Sequence, residues 1–166
     1  IHEYTSDEIA YCKEELSYGK PCYPRMINNI CSFPPRRAFL QDLIVKEHYI
    51  GRKILVLSDR RQHLDALMEY LNTQIHPTVA GLYVGGMKAH ELRESQERDI
   101  ILGTFSMASE GMDIPKLNTI FLASPKSDVV QSVGRILREK ADVRKFHPLV
   151  IDLKDSHPNL GFFEKQ

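Results

Sequence analysis

The chain reads as an α/β protein, an open parallel sheet with helices on both faces, preceded by a short irregular N-terminal segment. Two observations predict this. After Pro34-Pro35, short and nearly all-apolar runs alternate with segments whose apolar residues recur every three or four positions, the pattern of a parallel sheet covered on both sides. The bulk composition also fits one such domain, with 166 residues, 42% hydrophobic and 27% charged, the proportions of an ordinary globular chain.

The elements follow in order. Residues 1–35 show no clear period and hold several Pro and Tyr and all three cysteines; they read as an N-terminal appendage or interdomain segment. Arg36–Tyr49 is a helix with Phe39, Leu40, Leu43 and Ile44 on one face. Lys53–Ser58 (KILVLS) is a strand buried on both sides. Arg61–Thr73 is a helix striped by Leu64, Leu67, Met68 and Leu71. Val79–Val84 is a strand, Gly85-Gly86 a turn and Met87–Gln96 a polar helix. Asp99–Gly103 and Asn118–Ala123 are strands, Ser127–Lys140 is a helix capped by Ser127 or Asp128, and His147–Leu153 is a fifth strand. The second domain-sized unit is therefore 36–166. No repeat or low-complexity segment interrupts it.

Composition narrows the function. Lys plus Arg and Asp plus Glu balance at 22 each, for a net charge of zero, unlike a domain that grips nucleic acid through bulk positive charge. From Gln131 to Phe146, however, five cations face two carboxylates, a local excess of 5 − 2 = +3. No stretch approaches the roughly 20 apolar residues that span a bilayer, and the acidic, polar start is unlike a signal peptide, so an intracellular, cytoplasmic setting is expected. Three cysteines give no disulfide framework and fit a reducing compartment. Cys12, Cys22 and Cys31 have long, irregular spacings without CxxC, so idle thiols are expected rather than a zinc site; no metal site is expected in the chain. His63, His76, His90 and His147 share no pattern and are expected at the surface. A chain beginning at Ile1 rather than Met is expected to be a piece of something longer.

In open α/β sheets, ligands bind at the loops beyond the carboxyl ends of the strands, and the chemically distinctive residues follow strands. One group is Gln131-Ser-Val-Gly134-Arg135-Ile-Leu-Arg138. Gln131, Gly134, Arg135 and Arg138 stand at i, i+3, i+4 and i+7, hence on one helical face, opposite Val129, Val130, Val133, Ile136 and Leu137. Glycine inside a helix costs about 1 kcal/mol against alanine, which points to a close approach there. Two arginines one turn apart suit bidentate phosphate contact. A solvated arginine-rich face accounts for the helix taken alone.

The other group is the strand-end loop Gly103-Thr104-Phe-Ser-Met-Ala-Ser-Glu110-Gly111-Met-Asp113-Ile-Pro115. Thr104 can donate to a phosphate oxygen, Gly111 permits a backbone conformation closed to other residues, and Asp113 can accept from a ribose hydroxyl. The plainer alternative is a short helix and a glycine turn with Asp113 as a cap.

The two groups, in this order, resemble motifs V and VI of superfamily 2 helicases. KILVLSDRRQHLDAL (53–67) looks like motif IV, and GLYVGGMKAHELRES (81–95) is similar to the small glycine-rich segment between IV and V. Four motifs in one register over about two-thirds of the chain are specific where one alone is weak. The nearest resemblance is to helicases of large cytoplasmic DNA viruses and phages, which would place the protein in host cytoplasm.

The resemblance implies a RecA-like fold and a set of roles. Arg138 and Arg135 are arginine fingers facing the γ-phosphate of ATP across an interdomain cleft, and Gln131 couples the nucleotide to their helix. Gly111, Asp113 and Gly134 border the nucleotide, with Asp113 on the ribose. Ser58, Arg60, Gly85, Gly86 and Thr104 lie along the backbone of DNA or RNA. Thr104 stands one residue further from Gly111 than in the DEAD-box pattern, so its phosphate contact is carried over less securely than the role of Asp113.

The sequence contains no GxxxxGK[ST] loop, since Gly19-Lys20-Pro21 lacks both the first glycine and the hydroxyl. It has no strand-ending Asp-Glu pair for magnesium; Asp7-Glu8 sits in a polar stretch. Phosphoryl transfer needs both. They belong to the N-terminal RecA-like domain of such motors, which is expected to be the partner of this chain and to hold the Mg²⁺ site. A non-catalytic nucleic-acid-binding module and a sugar-nucleotide transferase are the competing readings. The arginine pair argues against the first, the missing phosphate-binding loop against the second.

Overall fold

The structure, a computed structural model, describes residues 1–110, 112, 114, 116–127, 129 and 145–157. The N-terminal part contains β1 (His2–Tyr4), α1 (Ile9–Cys12), the hairpin strands β2 (Leu16–Ser17) and β3 (Lys20–Pro21), and α2 (Tyr23–Ser32). Then come α3 (Pro34–Tyr49), β4 (Ile54–Leu57), α4 (Arg61–Gln74), β5 (Ala80–Tyr83), α5 (Ala89–Glu97) and β6 (Ile100–Gly103). α6 (Phe105–Ser109), β7 (Thr119–Leu122) and β8 (Leu149–Asp155) follow.

Six strands make one sheet in the order β1-β8-β7-β4-β6-β5, and every pairing in it is parallel. The expected α/β class is thus what the chain adopts. The central strand β4 explains why. Its four residues are wholly buried, with Ile54 and Val56 packed on one face and Leu55 and Leu57 on the other, as period-two alternation requires. Leu40 and Ile44 of α3 and Leu64, Leu67 and Leu71 of α4 cover the first face. Phe105 and Ala108 of α6, with Leu92 of α5, pack on the second. At about 25 cal/mol per Å² of apolar surface, these two layers are the main stabilising term of the fold.

Boundaries shift slightly from the sequence reading. α3 starts at Pro34, because prolines in the first turn forgo an N–H that has no helical partner anyway. α5 starts at Ala89, where the Glu91 carboxylate accepts from Lys88 N–H at 2.6 Å. The helix expected over 127–140 falls, except for Ser127 and Val129, outside the described residues.

The aperiodic first 35 residues contribute more than the sequence suggested. β1 pairs with β8, His2 opposite Leu153, and supplies a sixth strand. Tyr11, Met26, Ile30 and Phe33 form a small core of their own, joined to the main one through Tyr4, which packs against both. The local signals are short: α1 has four residues and β2 and β3 two each. α2 did leave a trace, since its buried Met26, Ile27, Ile30 and Cys31 recur at helical spacing behind Pro24.

Candidate nucleotide and nucleic-acid edge

Because all six strands are parallel, their carboxyl ends share one edge of the sheet, and the loops that leave it carry the candidate residues. Ser58 follows β4, Gly85 and Gly86 follow β5, and Thr104 follows β6, three adjacent strands. The loops are pinned to one another. Ser58 N–H donates to Gly103 O at 3.1 Å and Ala123 N–H to Leu57 O at 2.8 Å. Asp59 N–H donates to Ser124 Oγ at 3.2 Å, and Lys126 Nζ lies 2.7 Å from Asp59 Oδ2.

Each candidate has a distinct setting. Ser58 is fully buried, and its hydroxyl accepts from Arg60 N–H at 3.2 Å. Arg60 is half-buried and reaches two carbonyls, with Nη1 on Asp59 O and Nη2 on Pro24 O, both at 3.3 Å. The second bond ties the turn after β4 to the start of α2. Gly86 has φ 86°, a conformation that favours glycine, and a side chain there would meet nothing within 4 Å. Its requirement is conformational; Gly85, equally open, has neither constraint. Thr104 precedes α6 without capping it, and its hydroxyl instead meets Ser106 Oγ at 3.1 Å. The edge at the exposed Gly85 and Gly86 and the half-buried Thr104 therefore offers backbone and hydroxyl groups to a ligand. Gln131, Gly134, Arg135, Arg138, Gly111 and Asp113 lie outside the described residues.

One residue expected at the surface is not there. His63 is 3% exposed, because it stands four residues before Leu67 and eight before Leu71 and shares their core-facing stripe. Its Nδ1 is 3.2 Å from Ser58 Oγ. Burial, then the Arg36 and Arg37 cations, push its pKa down to about 3, so the ring is neutral at physiological pH. His76, His90 and His147 are exposed, as expected. Cys31 is buried below the same turn, and burial pushes its thiol up to about 11, leaving it protonated. The three cysteines are free.

Sequence reasoning also missed a buried ion pair beside this edge. Arg36 is wholly buried. Its Nε and Nη2 donate to the two oxygens of Asp155 at 2.5 and 2.6 Å, and Nη2 also meets Ala123 O at 3.1 Å. Tyr11 adds a hydroxyl bond to Asp155 at 3.0 Å; burial and the neighbouring carboxylate raise its pKa, keeping it a donor. No local signal marks an arginine for burial, since charged residues on amphipathic helices are usually solvated.

Residues 35–140 match the model of the helicase conserved C-terminal domain. Protein L396 of Acanthamoeba polyphaga mimivirus, named as a candidate ATP-dependent RNA helicase, is 41% identical over 159 residues, 89% of this chain and 30% of the viral protein. Transcript termination protein A18 of cowpox virus is 24% identical over 148 residues, 82% of this chain and 30% of its own. The chain thus spans about a third of these relatives. Among solved structures, T4 UvsW superposes with a TM-score of 0.70 at 22% identity, covering 93% of this chain and 31% of that one, a likeness of fold. No helix among the described residues is long and apolar enough to cross a membrane.

Proposed function

Because the chain belongs to the helicase conserved C-terminal domain family, with the RecA-like fold of superfamily 2 motors, we propose that it is the second motor domain of a longer ATP-dependent helicase or translocase. One observation carries this reading beyond family membership. Ser58, Gly86 and Thr104, far apart in sequence, meet at the carboxyl edge of three adjacent strands, where such sheets bind ligands.

In this reading Ser58, Arg60, Gly85, Gly86 and Thr104 follow the backbone of a DNA or RNA strand. Arg135 and Arg138, with Gln131, face the γ-phosphate, and Gly111, Asp113 and Gly134 border the nucleotide. ATP supplies the phosphoryl group whose hydrolysis drives movement; its phosphate cradle and Mg²⁺ site belong to a preceding N-terminal domain. Among the described residues the edge fits a shared ligand rather than an enclosed one: it offers hydroxyls, carbonyl-braced guanidinium and open glycines, but the sequence has no phosphate loop to hold a nucleotide alone. Residues 36–166 form the motor unit in this scheme, and residues 1–35 the segment that leads into it. Kinship with viral proteins supports a cytoplasmic role in an infected cell.

The test is ATP hydrolysis by the longer protein that carries this chain. Addition of single-stranded RNA or DNA is expected to raise turnover at least severalfold. Turnover indifferent to both nucleic acids would remove the motor assignment.

A further inference from the structure

On the edge opposite the candidate residues, at the amino ends of the strands, residues that precede β4, β6, β7 and β8 surround a cavity of about 640 Å³. Its base is fixed by the backbone. Ile54 N–H donates to Asp99 O at 2.9 Å, Thr119 N–H to Lys53 O at 3.2 Å and Leu149 N–H to Asn118 O at 2.8 Å. Arg52, Lys53, Lys116 and Lys145 line it with Glu97 and Asp99, four cations against two carboxylates.

The cations are unequally engaged. Arg52 is a brace, with Nη1 donating to Thr119 Oγ1 at 3.2 Å and to His147 O at 3.1 Å, and with Nε 3.0 Å from Glu47 Oε2. Lys53, Lys116 and Lys145 have no ion pair among the described residues. Lys53 is half-buried; burial pushes its pKa down, while Glu97 and Asp99 pull it the other way. An ammonium partly withdrawn from water and without a contact anion gains when a ligand supplies one.

Lys116 adds an independent observation. Its φ is 64°, in the left-handed region where a β-carbon is strained. Asn118 Nδ2 holds that turn by donating to Lys116 O at 3.2 Å. The side chain stands exposed on the rim of the cavity, where glycine would fold at less cost. Strain at a residue whose charge serves no described structural contact marks a place where that charge is used.

Two features favour a peptide over a nucleic-acid strand. The Phe146 ring has Arg52 Cζ at 4.9 Å and Lys145 Nζ at 5.2 Å from its centroid, so it orients cations instead of offering a bare face for a base to stack on. Glu97 and Asp99 repel an unbroken row of phosphates. A peptide, in contrast, places backbone N–H donors between its carboxylates, and those donors match the two acceptors.

We propose that this amino-edge cavity docks an acidic segment of a partner protein, its carboxylates paired with Lys53, Lys116 and Lys145 and its backbone N–H groups with Glu97 and Asp99. The track and nucleotide groups proposed above stand on the opposite, carboxyl edge, so a partner docked here leaves them free. The assignment does not depend on the motor reading.

The experiment uses the full 166-residue chain and a short fluorescent peptide of alternating Glu and Ser, followed by anisotropy. The peptide is expected to bind at low salt and to be released as salt rises. Lys116→Gly should weaken it about three- to fivefold and raise the melting temperature, because the strained β-carbon is gone. A lysine with a structural role would lower both. The double reversal Lys116→Glu with Lys145→Glu should weaken binding at least about tenfold; if it unfolds, Lys116→Gly with Lys145→Ala carries the test, with about the same loss expected. Lys20→Ala removes one exposed cation from the β2–β3 hairpin and should leave binding unchanged.

Equal weakening by Lys20→Ala and Lys116→Gly would mean that the peptide senses net charge rather than this cavity, and would overturn the proposal. So would failure of the unmodified chain to bind the peptide at low salt. A single-stranded oligonucleotide of the same charge that displaces the peptide, and whose own binding falls as far in Lys116→Gly, would assign the cavity to nucleic acid and overturn it equally.

Discussion

His63 shows how burial sets protonation at a single residue. Its pKa is about 3 in the folded chain and near 6.5 when unfolded. Below pH 6.5 the unfolded state takes up a proton that the folded state refuses, so the stability His63 contributes is present above about 6.5 and is lost as pH falls toward 3. Between pH 7 and pH 5 the loss amounts to about 2 kcal/mol. The buried His157, whose pKa burial also lowers, acts with the same sign, so wild type should be compared with His63→Leu, which retains it. Urea unfolding of both at the two pH values is expected to show wild type losing about 2 kcal/mol more than the variant. Equal losses would mean that the ring already titrates in the native state.

Among the elements, the Arg36–Asp155 pair joins α3 to the end of β8, and the bond from Arg36 to Ala123 O reaches the end of β7. Tyr11 brings α1 into the same network. Asp155→Asn leaves a wholly buried guanidinium without its counter-charge, which costs about 3–5 kcal/mol. Tyr11→Phe removes one hydroxyl bond and should cost about 1–2 kcal/mol. Urea midpoints at neutral pH measure both, and a cost under 1 kcal/mol for Asp155→Asn would mean that water relieves the buried charge. This network also marks the limit of what the sequence discloses. α4 was legible from its apolar period, and β4 and β6 from short apolar runs set between amphipathic helices. Arg36 and Asp155 are 119 residues apart and look like ordinary surface charges until the fold places them together. β1 is legible only as a partner of β8, since three residues are too few to show a period. The edge residues Ser58, Gly86 and Thr104 were found by motif order, which encodes their position after strands. His63 was misplaced because its type was weighed above its four-residue spacing from Leu67.

At the scale of the whole molecule, zero net charge means that any grip on nucleic acid comes from local clusters, with binding weak and steeply salt-dependent. Tight binding that is equal at low and high salt would contradict that expectation. Hydrolysis depends on a second division of labour. Without a phosphate loop or metal carboxylates, the isolated chain should show no ATP turnover, and turnover by the purified chain that Arg138→Ala abolishes would refute this. In the longer motor, Arg138→Ala is expected to abolish nucleic-acid-stimulated hydrolysis while leaving nucleic-acid binding largely intact. Phosphoryl transfer spreads negative charge over the γ-phosphate oxygens, and a fixed guanidinium there is worth on the order of 10³–10⁵ in rate in other motors. Arg138→Lys should not rescue it, because a flexible point charge lacks the planar fork. In the helix expected over 127–140, Arg138 would stand opposite Val129, Val133, Ile136 and Leu137, so its truncation is expected to spare the core and change the melting temperature little. Arg135→Ala should be comparably severe if both guanidiniums face the nucleotide, and milder if Arg135 braces the helix. Hydrolysis kinetics of the three variants, with melting temperatures as the control, separate these cases, and near-normal turnover by Arg138→Ala would show that the charge on the γ-phosphate is met by another group.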